Sequence, residues 1–563
     1  MNLRVCLLAE YLRRVTTKER DTLFLIFCAA VLVLIFFFAV VLNVGYYTKA
    51  DLYGPVSRFP TVFVPFAVVI ALAMGYIFRR MSHESEGAYR WLLLFLPLAL
   101  IVVYLLFLPD AIERYVATNY YDTPAHIART VYLLNNGRIN VSIDSYFDLQ
   151  PGVFFSTAAF MLVAGIGPEA ISKWFPLFFV ALAYVPAVIF LGKSYFKNAR
   201  ELSIFVFLTL AIMWPSPRYH YSAQIYVLPL IIIVAGLLLR GRLNRERFVA
   251  LFVLSAAMIP IHQAASLFTL AMFASFGVFK GVQRFLFRRA ERSGAMLGVT
   301  MLFLLIWLGY LLWVTVDTFG TLVGQLRSVV SVLASGLFAE IFSRDIVRPN
   351  PFYQTLVYSK IAFTAIIYLL SLPVPAYLWL KGRISKFGDV LAIVLGTSAV
   401  IYILGFSLGG IGYVERAVLM TSPLLAVGIA IVATRTCRIN SLPVIVMLVL
   451  LVVPGGVLFN SSRNFQSWLY SEQASTQFVE SYQSIPTLVW NTRTVSMPGC
   501  SYTETARFSV PGEPHQIIML LPSCAIEASY WETGAVSWAD SLNNISSIVK
   551  FYSNGPCSTY VVA

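Results

Sequence analysis

Charged residues are scarce in this sequence. Only 12% of its 563 residues are Asp, Glu, Lys or Arg, whereas about a quarter is usual in soluble domains. Hydrophobic residues, in contrast, make up 59% of the chain. A water-soluble core cannot bury that much apolar surface over this length. The composition therefore excludes an ordinary set of soluble domains and favours a chain that crosses a lipid bilayer many times.

Signatures of nucleotide binding are also missing. No Gly-x-x-x-x-Gly-Lys loop occurs, and the predicted cytoplasmic loops are too short for a Rossmann unit. If the protein is an enzyme, we therefore expect its reaction not to be driven by a bound nucleotide. No small-residue cleavage pattern follows the first apolar run, so we read that run as a retained anchor helix. The formal net charge of +14 comes from short basic clusters between apolar runs, which favours membrane topology over nucleic-acid binding.

Apolar runs predict about 13 transmembrane helices, since a span needs about 20 apolar residues. These runs are 22–44, 60–78, 91–109, 172–191, 202–214, 223–239, 248–261, 264–279, 294–316, 355–380, 389–408, 415–434 and 442–459. A further segment, 152–166, has about 15 apolar residues and begins after Pro151. We expect it to be a re-entrant or surface-lying helix rather than a full span.

Basic clusters predict the orientation. The clusters include Arg13 and Arg14; Arg79 and Arg80; Lys193 and Lys197; Arg240, Arg242, Arg245 and Arg247; Lys280, Arg284, Arg288 and Arg289; Lys381, Arg383 and Lys386; Arg435 and Arg438. If all of them face the cytoplasm, the predicted spans alternate without conflict. The N-terminus is then cytoplasmic and the C-terminus extracytoplasmic. We therefore expect a multi-pass protein of the cell (plasma) membrane.

This topology divides the chain into two predicted domains. Residues 1–459 form a transmembrane domain that includes two outer loops, 110–171 and 317–354. Residues 460–563 form a small extracytoplasmic domain, for which the segments 506–510, 517–521 and 549–552 predict strands. The fold class expected is thus an α-helical polytopic membrane protein with a small β-rich C-terminal domain.

Cysteine is rare, with only six residues in the chain, and three of them lie in the C-terminal domain. An extracytoplasmic compartment permits a disulfide, for which Cys500 and Cys524 are the candidate pair. Three free thiols are the alternative.

The first outer loop carries the residues best suited to catalysis. Tyr121, Asp122 and His126 lie close together there, and a helix starting at Pro124 would bring Asp122 and His126 near each other. Asp122 could simply cap that helix. A carboxylate just outside the membrane could also act as general base toward an acceptor hydroxyl. With His126 it could help to hold a divalent cation such as Mg²⁺ or Mn²⁺, although the spacing does not specify a metal.

Three further polar clusters interrupt or flank the apolar runs. They contain Arg218, His220 and Gln224; then His262; then Glu415 and Arg416. Polar groups within the depth of a membrane usually face a cavity. His262 could equally be a solvated loop residue. Arg416 could extend its side chain toward the lipid headgroups, or it could bind a phosphate through paired hydrogen bonds.

Together these motifs resemble the GT-C superfamily of membrane glycosyltransferases. The residues that carry the resemblance are Tyr121-Asp122-Thr123-Pro124-Ala125-His126, Asn136-Gly137, Asp148-Leu149-Gln150-Pro151-Gly152, Tyr219-His220-Tyr221-Ser222-Ala223-Gln224, His262 and Glu415-Arg416. Two spans precede the one that leads into the first outer loop, unlike in the simplest members. The resemblance covers most of the chain as architecture, while each motif is short.

The resemblance implies an enzyme that takes a sugar from a polyprenyl-phosphate carrier, such as dolichyl phosphate, at the outer face. Asp122 would be the general base of an inverting transfer to a glycan, lipid or protein acceptor. Arg416, Arg218 and His262 would bind the donor phosphate, and His126, His220, Gln224, Glu415 and Tyr121 would bind substrate. This implies a role in protein glycosylation or in building the cell envelope. No clear second acidic motif occurs, which puts a metal requirement in question.

Two other functions remain open at this stage. A transporter or flippase of lipid-linked saccharides would place polar groups at the bilayer midplane. A non-catalytic membrane assembly subunit would use the C-terminal domain as its binding module.

Overall fold

The fold is a bundle of α-helices with short β-strands before and after it. The computed structural model describes residues 115–117, 122–138, 151–212, 221–240, 244–287, 293–314, 324, 327, 351–384, 386–408, 411–436, 468–469, 487–490, 517–520, 548–554 and 557–562.

The helices of the described residues are numbered in chain order. They are α1 Asp122–Asn136, α2 Pro151–Ala164, α3 Pro168–Phe179, α4 Val185–Gly192, α5 Ala199–Ile212, α6 Ala223–Leu239, α7 Arg245–Met258, α8 Gln263–Phe287, α9 Ser293–Val314, α10 Pro351–Ser371, α11 Pro373–Leu380, α12 Phe387–Leu408 and α13 Ile411–Ile431. A π-helical turn, Val180–Tyr184, joins α3 to α4, and a second, Val432–Thr436, extends α13.

The apolar runs that fall among the described residues coincide with helices. Run 172–191 becomes α3, the π-helical turn and α4. Two prolines, Pro176 within α3 and Pro186 at the start of α4, lack the backbone N–H of a regular helix, which accounts for the interrupted hydrogen-bond pattern. Runs 22–44, 60–78, 91–109 and 442–459 lie outside the described residues, so the count of 13 spans stays a prediction.

Four stretches are long and apolar enough to cross a membrane by length and composition. They are Gln263–Phe285, Met296–Trp313, Ala362–Leu380 and Ala417–Thr434. Together with the composition, they indicate a membrane protein. The segment predicted at 152–166 is the 14-residue helix α2, about 21 Å long, which is shorter than the roughly 30 Å apolar core of a bilayer.

One end of the bundle, here called the basic end, gathers Lys193, Arg240, Arg245, Lys280 and Lys386. The Lys280 Nζ lies 2.9 Å from an Asp389 carboxylate oxygen and so links α8 to α12. The Arg240 guanidinium stacks 3.6 Å from the Phe190 ring centroid and donates to the Phe190 carbonyl over 3.1 Å. These cations come from four separate sequence clusters, which the fold brings to one end of the bundle.

The opposite end, here called the polar end, gathers Gly152, Tyr221, Ser222, Gln224 and His262. Helix α6 runs from the polar end to the basic end over 17 residues, about 25 Å. The turn between α7 and α8 lies at the polar end, because the Gly152 N–H donates to the Pro260 carbonyl over 2.9 Å. The two ends therefore have different chemistry.

Glycines let pairs of helices approach closely. A Cβ at Gly428 would overlap the carbonyl oxygen of Ser371, where α13 crosses the end of α10. A Cβ at Gly396 would likewise overlap the Ser275 hydroxyl, where α12 crosses α8. Small residues at helix crossings are the usual way to bring backbones together in an apolar bundle.

The strands lie in two sheets. Strand β1, Tyr115–Ala117, pairs antiparallel with β2, Trp468–Leu469, and so joins the first predicted outer loop to the chain that follows the bundle. Strands β3 Thr487–Trp490, β4 Ile517–Leu520, β5 Ile548–Asn554 and β6 Cys557–Val562 form a sheet in the order β3-β4-β6-β5.

Strands are thus present at two of the three segments for which the sequence predicts them. The third segment, 506–510, lies outside the described residues, as do Cys500 and Cys524. The boundaries of the two domains and the existence of a β-rich domain over 460–563 stay predictions.

We expect Gly428→Leu to destabilise the bundle. The added side chain would collide with the Ser371 backbone, and overpacking of this kind costs about 1–3 kcal/mol. The matched control is Gly309→Leu in α9, because no atom lies within 4 Å of a Cβ at that position. Thermal unfolding of the detergent-purified variants measures the effect, and equal unfolding midpoints for both variants would contradict the helix crossing.

Candidate functional site

Helix α1 carries two of the predicted site residues. It begins at Asp122, two residues before the predicted start at Pro124, so Asp122 stands in its first turn. His126 follows one turn later and is 3% exposed. Its ring contacts those of Phe154 in α2 and of Tyr221, at centroid distances of 5.8 and 6.1 Å. The side chain of Asp122 itself lies outside what the structure describes.

Burial sets the charge of His126. Removal from water, with a smaller contribution from the positive charge of Arg129, lowers the pKa of His126 to about 3. The imidazole is therefore neutral at physiological pH. A neutral imidazole can accept a hydrogen bond or bind a metal ion, but it cannot attract a phosphate by its charge.

Hydroxyl groups join α1, α2 and α6. The Tyr221 hydroxyl lies 3.0 Å from the Thr130 Oγ1 in α1 and 2.8 Å from the Thr157 Oγ1 in α2. The Thr157 Oγ1 also lies 2.6 Å from the Tyr226 hydroxyl in α6. The two threonines each donate to a carbonyl one turn earlier in their own helix, at 2.9 Å. Burial raises the pKa of Tyr221 to about 12, so this phenol stays protonated and can donate.

An apolar cluster surrounds these hydroxyls. Its fully or nearly fully buried members include Leu133, Val153, Phe154, Ile171 and Ala223. The cluster is separate from the larger apolar core that α4 to α13 share. The hydrogen bonds of Tyr221 therefore lie in a dry environment, where they are stronger than at a surface.

The turn before α8 closes the site from another side. A Cβ at Gly152 would lie 3.0 Å from the Pro260 carbonyl oxygen, so a side chain there would push the turn back by a few tenths of an ångström. His262, at the end of the turn, is 6% exposed. Its Nδ1 accepts the backbone N–H of Ala265 over 3.0 Å. His262 is therefore a buried residue that caps α8, which excludes the alternative of a solvated loop histidine.

Two polar side chains at the start of α6 have no such partners. Gln224 is 6% exposed and Ser222 is 5% exposed. The Gln224 Oε1 and the Ser222 Oγ make no hydrogen bond within the described residues. Gln263, at the start of α8, is bonded at both ends of its amide, to the Ile259 carbonyl and to the Trp307 indole.

The structure thus brings together His126, Gln224 and His262, which the sequence predicted separately. Tyr121, Arg218 and His220 lie outside the described residues. Glu415 and Arg416 belong to the first turns of α13, and their side chains lie outside what the structure describes.

Sequence reasoning missed the roles of Thr130, Thr157 and Tyr221. Tyr221 belongs to the polar motif at 219–224, but a tyrosine in an apolar chain gives no signal of which hydroxyls it contacts. Thr130 and Thr157 lie in helical segments as isolated polar residues, and only their tertiary partners distinguish them from ordinary helix threonines.

A metal site finds limited support among the described residues. Within them, no three residues of the types His, Cys, Asp and Glu come together as a metal site would require. A neutral His126 suits a divalent cation as a ligand, but a ligand set built on Asp122 and His126 stays a prediction.

Comparison with known proteins gives weak likenesses only. No family model and no curated protein matches the sequence. The Archaeoglobus fulgidus oligosaccharyltransferase tethered with an acceptor peptide containing the NVT sequon is similar in structure, at 14% identity and a TM-score of 0.46, over 77% of this chain and 62% of that chain. The archaeal oligosaccharyltransferase AglB from Archaeoglobus fulgidus, in complex with an inhibitory peptide and a dolichol-phosphate, is also similar in structure. It shows 13% identity and a TM-score of 0.45, over 76% of this chain and 62% of that chain.

The chain therefore spans about three fifths of the length of these neighbours, which are 62% covered. The class that its own fold and site define is an α-helical membrane protein with a buried polar site at one end of its helical bundle.

We expect His126 to make the protein sensitive to acid. Its pKa is 6.5 in the unfolded chain and about 3 in the fold, so the unfolded state takes up a proton between these values while the folded state does not. Stability is full above pH 6.5 and falls as the pH drops below it, by about 2 kcal/mol at pH 5. The thermal midpoint should fall between pH 7.5 and pH 5, and this fall should be smaller for His126→Gln than for the original chain. An equal fall in both would contradict a neutral buried His126.

We expect His262 to act first as a helix cap. Asn is a good N-cap, so His262→Asn should keep the thermal midpoint, whereas His262→Ala should cost about 1 kcal/mol. If His262 also touches substrate, both variants lose activity, because neither has an imidazole. Midpoints that drop equally for Asn and Ala would argue against the cap.

Proposed function

We propose that this protein is a membrane glycosyltransferase, which transfers a sugar from a polyprenyl-phosphate-linked donor to a glycan, lipid or protein acceptor. The polar end of the bundle is its active site and faces the extracytoplasmic side of the cell membrane. The basic end faces the cytoplasm. Asp122 is the general base of an inverting reaction.

One observation carries this proposal: four segments that are distant in sequence converge at the polar end. The Tyr221 hydroxyl draws α1 and α2 to the start of α6, and the Gly152–Pro260 hydrogen bond adds the turn that holds His262. The first turn of α1, where Asp122 stands, belongs to this group of segments. Such a convergence of polar groups in an apolar chain favours a site that handles a polar substrate at the membrane boundary.

The chemistry follows from a single displacement. The Asp122 carboxylate takes the proton of the acceptor hydroxyl as that oxygen bonds to the anomeric carbon. The bond from that carbon to the phosphate oxygen breaks, and its electrons leave with the lipid phosphate. Attack from the opposite face inverts the anomeric centre. A carboxylate removes a proton best when it is held close to the acceptor in a water-poor site.

The leaving phosphate needs positive charge or hydrogen-bond donors. Arg416, at the start of α13, is our candidate for this role, with Arg218 and His262 as further donor-phosphate residues. Because His126 is neutral, it contributes hydrogen bonding or metal binding rather than charge. Tyr121, His220, Gln224 and Glu415 complete the proposed substrate-binding set. A divalent cation, if the enzyme uses one, would bind at Asp122 and His126.

The pairing of β1 with β2 supports placing the C-terminal segment on the same side as the site. Strand β1 ends at Ala117, five residues before Asp122, and its partner β2 lies at Trp468–Leu469. A chain that returns to pair with the first outer loop must be on the same side of the membrane as that loop. We therefore place the proposed second domain, 460–563, on the extracytoplasmic side together with that loop.

We expect Asp122→Asn to abolish sugar transfer while the protein stays folded. Asn and Ser both serve well at helix N-termini but cannot act as general bases, so Asp122→Ser should behave in the same way. Transfer of radiolabelled sugar from a polyprenyl-phosphate sugar, measured in membranes, should fall at least a hundredfold. Glu246→Gln is the matched control, because Glu246 is an exposed carboxylate in the first turn of α7 at the basic end.

Full transfer by Asp122→Asn would remove Asp122 from the mechanism and leave capping as its role. Movement of the lipid-linked sugar across the membrane without any transfer would favour the transporter instead.

A further inference from the structure

Ser222 and Gln224 are two buried polar residues at the polar end. Both side chains are about 95% buried, at 5% and 6% exposure, and neither the Ser222 Oγ nor the Gln224 Oε1 has a hydrogen-bond partner within the described residues. Ser222 precedes α6, but its side chain does not cap that helix. A buried polar group without a partner costs folding free energy, so its presence calls for a specific explanation.

Several neighbouring hydroxyl and amide groups are satisfied, which makes the contrast with Ser222 and Gln224 informative. Thr130, Thr157 and Tyr221 share hydrogen bonds with one another. Gln263, at the start of α8, has partners for both its amide nitrogen and its amide oxygen. The hydroxyls of Thr130, Thr157 and Tyr221 and the Gln263 amide are thus paired, whereas the Ser222 Oγ and the Gln224 Oε1 are not, as expected for groups whose partner is a ligand.

The chemistry of the two groups restricts that ligand. An amide presents an acceptor oxygen and a donor NH₂, and a serine hydroxyl both donates and accepts. An ionised phosphate has no proton to donate to the Gln224 oxygen. A hydroxyl group satisfies both residues, because it donates and accepts at once. The pair thus fits a polyhydroxylated, uncharged group better than it fits the phosphate of a lipid carrier.

The position of the pair is suitable for the sugar of the proposed donor. Tyr221 directly precedes Ser222, and its ring centroid lies 6.1 Å from that of His126. Asp122 stands one turn before His126 in α1. A sugar that bonds to Ser222 and Gln224 would therefore lie beside the helix that carries the proposed base.

We propose that Ser222 and Gln224 form a subsite for the hydroxyl groups of the transferred sugar, and that they set which sugar the enzyme accepts. This rests on the proposed function. The phosphate of the donor binds elsewhere, so recognition of the sugar and of the carrier is divided between separate residues.

The test measures binding of two synthetic probes to the purified full-length protein in detergent micelles. One is farnesyl phosphate, and the other is farnesyl phosphate carrying a mannose, glucose or galactose. Gln224→Met and Ser222→Ala should weaken the best-bound sugar conjugate about tenfold each, the factor expected for one lost hydrogen bond. Both variants should leave the affinity for farnesyl phosphate unchanged and reduce the preference among the three sugars.

Thermal stability supplies a second readout. A purely structural role of Gln224 predicts a lower midpoint on substitution, whereas a ligand-binding role predicts the opposite. Gln224→Met removes an unpaired buried amide at nearly constant volume, so its thermal midpoint should rise or stay level. Gln263→Met removes a paired amide at the start of α8 and should lower the midpoint without changing the ratio of the two affinities. Ser255→Ala is the serine control, because Ser255 in α7 is also buried and unpaired but lies in a different helix.

The possible outcomes distinguish failure of the sugar subsite from failure of the proposed function. If the original chain binds both probes and the variants keep the same ratio of affinities, the groups hold only water and the subsite is overturned while the proposed function stands. A lower midpoint for Gln224→Met with equal loss of both probes would also overturn the subsite, because the residue would then be structural. If the original chain binds neither probe, the proposed function fails first and the subsite fails with it.

Discussion

The hydrogen bonds of the Tyr221 hydroxyl hold the polar end together. They reach Thr130 in α1 and Thr157 in α2, so one buried oxygen connects three helices that are far apart in sequence. The surrounding cluster of Leu133, Val153, Phe154 and Ala223 excludes water, and a hydroxyl in such surroundings is costly without partners. The positions of α1, of the start of α2 and of the start of α6 are therefore interdependent, and with them the position of the first turn of α1 where Asp122 stands.

The rest of the bundle follows the same requirement, that few polar groups remain unpaired in an apolar interior. Buried threonines such as Thr209, Thr269 and Thr421 donate to a carbonyl one turn earlier in their own helix. Helices then approach closely where glycine permits, as at Gly396 and Gly428. At the basic end, Lys280 pairs with Asp389. The two ends can thus have different tasks, since the apolar middle separates them by about 25 Å.

Much of the helical architecture could be predicted from the sequence, because a long apolar run has few alternatives to a helix in a bilayer. Runs 223–239 and 389–408, for instance, match α6 and α12 closely. Local details could not be predicted in the same way. The start of α1 at Asp122 and the π-helical turn at 180–184 depend on hydrogen bonds. The pattern of apolar runs in the sequence does not predict these bonds. The burial of His262 and its bond to the Ala265 N–H depend on how the α7–α8 turn packs against Gly152.

The sequence by itself determined that this is a membrane protein of many apolar helices with basic clusters at helix ends, because composition and periodicity act through local hydrophobicity alone. It also named Asp122, His126, Gln224 and His262 as separate candidates, because each interrupts or flanks an apolar run. Only the tertiary structure decided that His126, Gln224 and His262 share one end of the bundle. It also decided that His126 is neutral and that Ser222 and Gln224 lack partners which Gln263 possesses. Burial and hydrogen-bond pairing depend on contacts between distant segments, and such contacts leave no trace in the local pattern of residues.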